Sequence, residues 1–72
     1  MAVVLYIREL EENGQLIKLS DGTRWRVDEV DAIRGVWEPA QYVEIEDDGG
    51  GPSRLITNLD AARREPLRAW PA

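Results

Sequence analysis

The densest set of potential metal ligands in the chain is the acidic segment EIEDDGGG, residues 44–51. Glu46, Asp47 and Asp48 supply carboxylate oxygens, which are the ligands that a hard cation such as Ca²⁺ prefers. The segment lacks the ligand spacing of the EF-hand calcium loop, and its glycines would have to become ordered around the ion. We therefore interpret residues 48–52 as a solvated, flexible loop and predict no metal site and no cofactor.

Side chains suited to catalysis are scarce. The chain contains neither histidine nor cysteine, so the commonest general base and the thiolate nucleophile are both missing. Ser20 and Ser53 have no histidine to activate them, and the single lysine, Lys18, falls on a predicted strand. Adjacent acidic residues such as Glu11 and Glu12 fall in a predicted turn, where exposed carboxyl groups are unsuited to general acid catalysis. We predict that the protein is not an enzyme and has no catalytic residues.

The charge balance bears on nucleic-acid binding. Nine basic and fourteen acidic residues give a formal charge of −5 and a pI near 4.6. This is the wrong sign for a domain that neutralises several phosphates. The glycine run at 49–51 also lacks the lysine and hydroxyl spacing of a phosphate-binding loop. A nucleic-acid-linked role, through weak binding by Arg24 and Arg26 or through acidic mimicry of nucleic acid, is the alternative to protein binding.

One predicted sheet face carries several arginines. Arg24 and Arg26 point to the same side of one strand, and we expect Arg8 to lie nearby across a hairpin. Such a face suits an acidic partner. The favoured interpretation is a solvated face on which the arginines pair across strands with Glu44 or Glu46.

Six short segments have the residue types and the alternation of β-strands. The tight turns EENG (residues 11–14) and SDG (residues 20–22) separate the first three of them. A helical turn is predicted at 29–35, a break at Pro39 and a further turn at 59–65 that begins at Asn58. The predicted strands cover residues 2–10, 15–19, 23–28, 42–47, 53–58 and 66–70. Together they favour an all-β fold, a five- or six-stranded antiparallel meander closed into a small barrel.

The alternation also predicts which side chains form the core. Leu16 and Lys18 belong to a mixed face opposite the apolar one, and Ala69 is expected to face inward. The first strand is apolar on both faces, so its phase is left open. The predicted core consists of Leu5, Ile7, Ile17, Leu19, Trp25, Val27, Val43, Ile45, Ile56 and Leu67, with Val3 contributing. A chain of this length forms one domain, residues 1–72, with a small core.

The segments LIKLSDGTRWRV (residues 16–27), YVEIED, LITN and PLRAW, with Trp37 between the first two, carry a family resemblance. An apolar strand, an Asp-Gly turn, a Trp-x-Val strand, a later Trp and an alternating strand follow one another. This order resembles a set of short, mostly uncharacterised bacterial proteins with a small SH3-like β-barrel. Residues 38–41 depart from the Gly-Asp turn often seen in that set. The resemblance implies an SH3-like fold and places no residue in a catalytic role.

The aromatic residues give the candidate site. Three tryptophans and two tyrosines exceed what so small a barrel encloses, so we expect Trp37, Tyr42 and Trp70 to be partly exposed. In SH3-like barrels, exposed aromatic side chains beside loops form grooves for extended, proline-rich peptides. We therefore predict an interaction surface at these three residues. The structural alternative is that Trp37 plugs one end of the barrel and Trp70 covers an edge.

These patterns predict a protein-interaction or assembly module that binds another protein, a peptide or a second copy of itself. No apolar run approaches the roughly 20 residues that span a bilayer, and no signal-peptide pattern follows the first strand. We expect a cytoplasmic protein without a membrane contact.

Overall fold

The structure is a computed structural model of the 72-residue chain and describes residues 2–28, 37–61 and 64–72. The strands are β1 (Val3–Glu11), β2 (Leu16–Leu19), β3 (Arg24–Val27), β4 (Tyr42–Asp47), β5 (Arg54–Asn58) and β6 (Leu67–Pro71), with a 3-10 turn at Glu12–Gly14. The helical turn predicted at 29–35 lies outside the described residues, as do residues 62 and 63 of the predicted turn after Asn58.

The six strands form one closed barrel in the order β1-β2-β3-β6-β5-β4, and all neighbouring strands are antiparallel. The predicted all-β antiparallel barrel is confirmed, but its strand order is not that of a simple meander, because β3 lies beside β6 rather than β4. β1 closes the barrel, because Val3 to Tyr6 pair with β4 whereas Ile7 to Glu11 pair with β2. Each of the six strands thus has two neighbouring strands, although each half of β1 is paired with a strand on one side only.

A β-bulge interrupts β1 at Arg8. Ile7 lies opposite Leu19 and Glu9 lies opposite Lys18, so β1 advances two residues where β2 advances one. The extra residue changes which side chains face inward. Arg8 and Glu9 are both exposed, and the next residue, Leu10, packs against the core beside Ile7. The bulge therefore settles the phase of β1 that its apolar composition leaves open.

The core agrees closely with the prediction. Its buried members are Ile7, Ile17, Leu19, Val27, Val43, Ile56 and Ala69, and Leu5, Leu10, Trp25, Trp37, Ile45 and Leu67 pack against them. The prediction is wrong for Val3, which lies opposite Ile45 but is 48% exposed at the start of β1.

Leu16 also differs from its prediction, because it is buried although it faces away from Ile17. It lies between Glu11 of β1 and Arg26 of β3 in the register. An ion pair of 2.9 Å joins Arg26 to Glu12, the residue after Glu11. This pair connects the 3-10 turn after β1 to β3, close to Leu16 in the register.

One end of the barrel is closed by hydrogen bonds of Asn58, a buried polar side chain that is 1% exposed. Its amide nitrogen donates to Gln41 Oε1 at 2.6 Å, and the Gln41 oxygen also accepts the backbone N–H of Glu38 at 2.9 Å. Asn58 Oδ1 accepts the backbone N–H of Asp60 at 2.8 Å, so the predicted turn does begin at Asn58. Since an unpaired buried amide costs about 1–3 kcal/mol, these bonds join the end of β5 firmly to the turn before β4.

The turns use left-handed backbone conformations. Asn13 and Gly14 have φ values of 59° and 86°, as the Asn-Gly signal predicts. Ala40, in the turn before β4, has a φ of 74°, which a residue with a β-carbon adopts at a cost. The Ala40 N–H donates to the Ile7 carbonyl at 2.7 Å, so this turn is also tied to β1.

Replacing Ala40 with glycine should stabilise the protein. Glycine adopts positive φ without the β-carbon clash and keeps the N–H that bonds Ile7. We expect Ala40→Gly to raise the free energy of unfolding by about 0.5–1 kcal/mol, measured by urea denaturation. The matched control is Ala69→Gly, in the core of β6, which should lose at least about 1 kcal/mol. A loss of stability in Ala40→Gly would contradict the strained turn.

Candidate interaction surface

The outer side of β1 and β4 carries an exposed apolar surface formed by Val4, Tyr6 and Tyr42, which we call the aromatic face. These side chains are 55%, 44% and 54% exposed. Tyr6 and Tyr42 are register partners, and their rings meet edge to face with centroids 6.3 Å apart at an angle of 69°. This is a favoured arrangement for an aromatic pair.

The backbone beneath both tyrosines is firmly held. The Tyr6 N–H donates to Ser20 Oγ at 3.2 Å, and the Ser20 N–H donates to the Tyr6 carbonyl at 2.9 Å. The Tyr42 N–H donates to Asp60 Oδ2 at 2.7 Å, and the Leu59 N–H donates to the Tyr42 carbonyl at 2.8 Å. A ligand that binds the aromatic face therefore orders little of the protein, which lowers the entropic cost of binding.

Acidic residues border the aromatic face on its β4 side. Glu44 lies opposite Val4, and Glu46 follows it on the outer side of the same strand. A hydrogen bond shared with Glu46 is the largest cause that raises the pKa of Glu44 above its ordinary value, and desolvation adds to it. These two carboxyl groups make the border acidic, and the nearby charge of Arg64, which lowers the pKa of Glu44, offsets part of their effect.

A polar cleft of about 370 Å³ lies beyond the other border of the aromatic face, and we call it the basic cleft. It is lined by Arg8, Glu9, Lys18, Leu19, Gly22 and Arg24. The bulge brings both Arg8 and Glu9 to the outer surface, and Lys18 lies between Glu9 and Arg24 in the register. Three strands, β1, β2 and β3, thus contribute charged side chains to one concave site.

Only some of the charged groups that line the basic cleft form ion pairs with described residues. Lys18 bonds Glu11 at 3.0 Å and Glu9 at 3.4 Å, and these two carboxylates, Glu11 first, raise the pKa of Lys18 above its ordinary value. The side chains of Arg8 and Arg24 make no ion pair or hydrogen bond with any residue that the structure describes. The cleft therefore presents two unneutralised guanidinium groups.

The pairing expected between the arginines and Glu44 or Glu46 is wrong. β3 has β2 and β6 as neighbours, so its side chains do not lie across from β4. Arg26 pairs with Glu12 instead, at 2.9 Å. Sequence reasoning placed Arg8 near Arg24, and the structure confirms that both line one cleft.

A chain of side-chain hydrogen bonds supports the turn that forms one wall of the basic cleft. Asp21 Oδ1 accepts the Thr23 hydroxyl at 2.6 Å and the Thr23 N–H at 3.0 Å. Thr23 Oγ1 in turn accepts the indole N–H of Trp25 at 3.0 Å. Gly22, with a φ of 88°, completes this turn, and the Thr23 hydroxyl is the largest cause that lowers the pKa of Asp21. The turn is thereby linked to a ring that packs against the core.

The three aromatic residues predicted as the interaction surface have separate positions. Trp37 is half-buried and packs against the core, whereas Tyr42 belongs to the aromatic face. Trp70 is 39% exposed and lies opposite Arg26. Ala69, the residue before Trp70, pairs with a residue of β5 that pairs in turn with the last residue of β4. That end of β4 lies roughly 16 Å along the strand from Tyr42. The structure thus joins Tyr42 to β1 rather than to Trp70.

Tyr6, the partner of Tyr42, was missed as a site residue. It falls in an apolar strand and was treated as part of the sheet. The predicted inward positions of Leu5 and Ile7 already required Tyr6 to face outward, because side chains alternate along a strand. That alternation was the signal that could have identified it.

The acidic segment is engaged in ion pairs. Asp47 bonds Arg54 at 3.3 Å, and Asp48 bonds Arg68 at 2.6 Å and accepts the Ser53 hydroxyl at 3.0 Å. These contacts connect the loop after β4 to β5 and β6. Within the described ranges, no three side chains of metal-binding type are grouped around a common point.

Stability at acid pH should depend on Asp21. A carboxyl group whose pKa is lowered in the folded state stabilises the fold above its unfolded pKa, and this contribution is lost as the pH falls through the folded pKa. We expect the unfolding free energy of the wild type to fall relative to that of Asp21→Asn between pH 5 and roughly pH 2.

The Thr23→Val variant tests the cause of that shift. It removes the hydroxyl while keeping a β-branched side chain, and the pKa of Asp21, followed by carboxyl NMR, should move back toward its ordinary value. An unchanged Asp21 titration in Thr23→Val would contradict the proposed hydrogen-bond chain.

Comparison of the chain with protein-family models, with curated proteins and with solved structures found no match. In the part of the chain that the structure describes, no helix has the length and apolar character needed to cross a membrane. The function must therefore be inferred from the geometry of the aromatic face and the basic cleft.

Proposed function

We propose that this protein is a small, non-enzymatic interaction module that binds an extended segment of another protein on its aromatic face. The observation that carries the proposal is the exposed, edge-to-face pair of Tyr6 and Tyr42 on a hydrogen-bonded part of the barrel. Tyrosine is enriched at protein interfaces because it combines a large apolar surface with a hydroxyl group that hydrogen-bonds.

The clustering of exposed apolar residues supports this use. Five large hydrophobic residues are exposed among those described, and three of them, Val4, Tyr6 and Tyr42, share the outer side of β1 and β4. Single exposed hydrophobic residues are ordinary, whereas a contiguous patch rimmed by charges is typical of an interaction site. The charged rim is present here, with Glu44 on one side and Arg8 on the other.

The mode of binding follows from barrel closure. Each of the six strands has two neighbouring strands and only short stretches of strand edge are unpaired, so strand addition is disfavoured. Contacts from the ligand to side chains on the outer surface remain, as in the aromatic grooves of SH3 domains. The SH3-like classification and the relation to short bacterial proteins are parts of this proposal, supported by the strand and turn motifs, and a cytoplasmic location is proposed with them.

A peptide-display selection tests the proposal with matched variants. Wild-type protein should enrich peptides from a random library, and the Tyr6→Thr, Tyr42→Thr double variant should bind the enriched peptides at least about tenfold more weakly. Threonine keeps the strand propensity of both positions. Trp70→Thr is the control, because it removes a large exposed hydrophobic side chain that lies outside the aromatic face. This variant should retain binding.

Circular dichroism and urea denaturation confirm that each variant is folded before binding is compared. Equal binding by the double variant, or no enrichment by the wild type, would contradict the proposal. Sedimentation velocity tests self-association, which is the alternative to binding another protein. A dimer that dissociates in the double variant would assign the aromatic face to self-association instead.

A further inference from the structure

We propose that the basic cleft recognises carboxylate side chains, so that the ligand is an acidic peptide segment. Its acidic residue enters the cleft while a neighbouring apolar residue covers the aromatic face. This inference rests on the proposed function and identifies the chemical class of the partner. It is carried by Arg8 and Arg24, which line one concave site and whose guanidinium groups form no ion pair with the described residues.

The two arginines differ from the other basic groups near them. Lys18 is held by Glu9 and Glu11, and Arg26 is held by Glu12. Three cations and one carboxylate line the cleft, which leaves a local positive charge in a chain of net charge −5. A guanidinium group binds a carboxylate through two parallel hydrogen bonds, so two arginines without an ion pair among the described residues suit one or two acidic side chains.

The strand rise of β1 sets the spacing between the two parts of the surface. Tyr6 and Arg8 are two residues apart on the outer side of β1, roughly 6.6 Å along the strand. An extended ligand also repeats its side chains on one face every two residues. The matching ligand therefore carries an apolar or aromatic residue and, two residues away, an aspartate or glutamate.

The same charges argue against a nucleic acid as the ligand. A long polyanion would lie close to Glu44 and Glu46 on the border of the aromatic face, and the overall charge of −5 would repel it. A short segment with one or two carboxylates experiences mainly the charges within a Debye length, about 8–10 Å, of the cleft. The local field favours this smaller anion.

Fluorescence anisotropy with three probes tests the inference. The first is a short peptide with leucine and glutamate two residues apart, the second replaces the glutamate with glutamine, and the third is an oligothymidylate of the same charge as the first. The wild type should bind the glutamate peptide most tightly. Arg8→Gln and Arg24→Gln should each weaken that binding about three- to fivefold and leave binding of the glutamine peptide unchanged.

Arg26→Gln is the matched control, since it removes the same charge from the same strand as Arg24 but from a group already paired with Glu12. It should bind the glutamate peptide as the wild type does. Raising the salt concentration should weaken binding of the glutamate peptide more than binding of the glutamine peptide.

The outcomes separate this inference from the proposed function. Equal binding of the two peptides, with loss only in Tyr6→Thr, Tyr42→Thr, would overturn the carboxylate site and leave the aromatic face intact. No binding of either peptide would overturn the carboxylate site, and the display selection then judges the aromatic face separately. Tighter, arginine-dependent binding of the oligothymidylate would overturn the inference and assign the cleft to nucleic acid.

Discussion

β1 pairs with β4 through its first half and with β2 through its second half, and the bulge at Arg8 lies just beyond the point where one pairing gives way to the other. The first half supplies Tyr6 to the aromatic face, and alternation along the strand places Arg8 on the same outer side, in the basic cleft. The bulge adds Glu9 to that side and turns Leu10 into the core. One strand thus contributes to the core and to both parts of the candidate surface.

The rest of the barrel holds this strand in place. The turn before β4 exchanges two backbone hydrogen bonds with Ile7, through the N–H of Ala40 and the carbonyl of Gln41, at 2.7 and 2.9 Å. Gln41 in turn bonds the buried Asn58. In so small a chain each such contact is a large fraction of the net stability, because burial and ordering entropy nearly cancel. A fixed surface is the result, and fixed surfaces bind with a smaller entropic cost.

Local pattern predicted most of the fold. The strand alternation identified Ile17, Leu19 and Val27 as core, and the Asn-Gly and Asp-Gly signals placed two turns correctly. These features depend on residues close together in sequence, where side-chain period and backbone preference act directly. The barrel class followed from the number and spacing of such strands.

Features that depend on distant pairing were not accessible in the same way. The sequence did not reveal the bulge, because the segment VVLYI is apolar on both faces and no alternation of polar and apolar residues marks where the inward-facing positions change. The expected partners of Arg24 and Arg26 were wrong because β6 lies between β3 and β5, a neighbour relation that sequence proximity does not reveal. The site prediction included Tyr42 but not Tyr6; alternation could have placed Tyr6 on the outer side, whereas its contact with Tyr42 depends on the pairing of β1 with β4.

An NMR titration of isotope-labelled protein with the glutamate peptide tests the central claim most directly. If the bulged strand presents one continuous binding surface, backbone shifts should concentrate at Tyr6, Arg8, Gly22, Arg24 and Tyr42, with little change at Trp70 or in the loop after β4. Shifts centred on Trp70, or spread evenly over the barrel, would contradict the account.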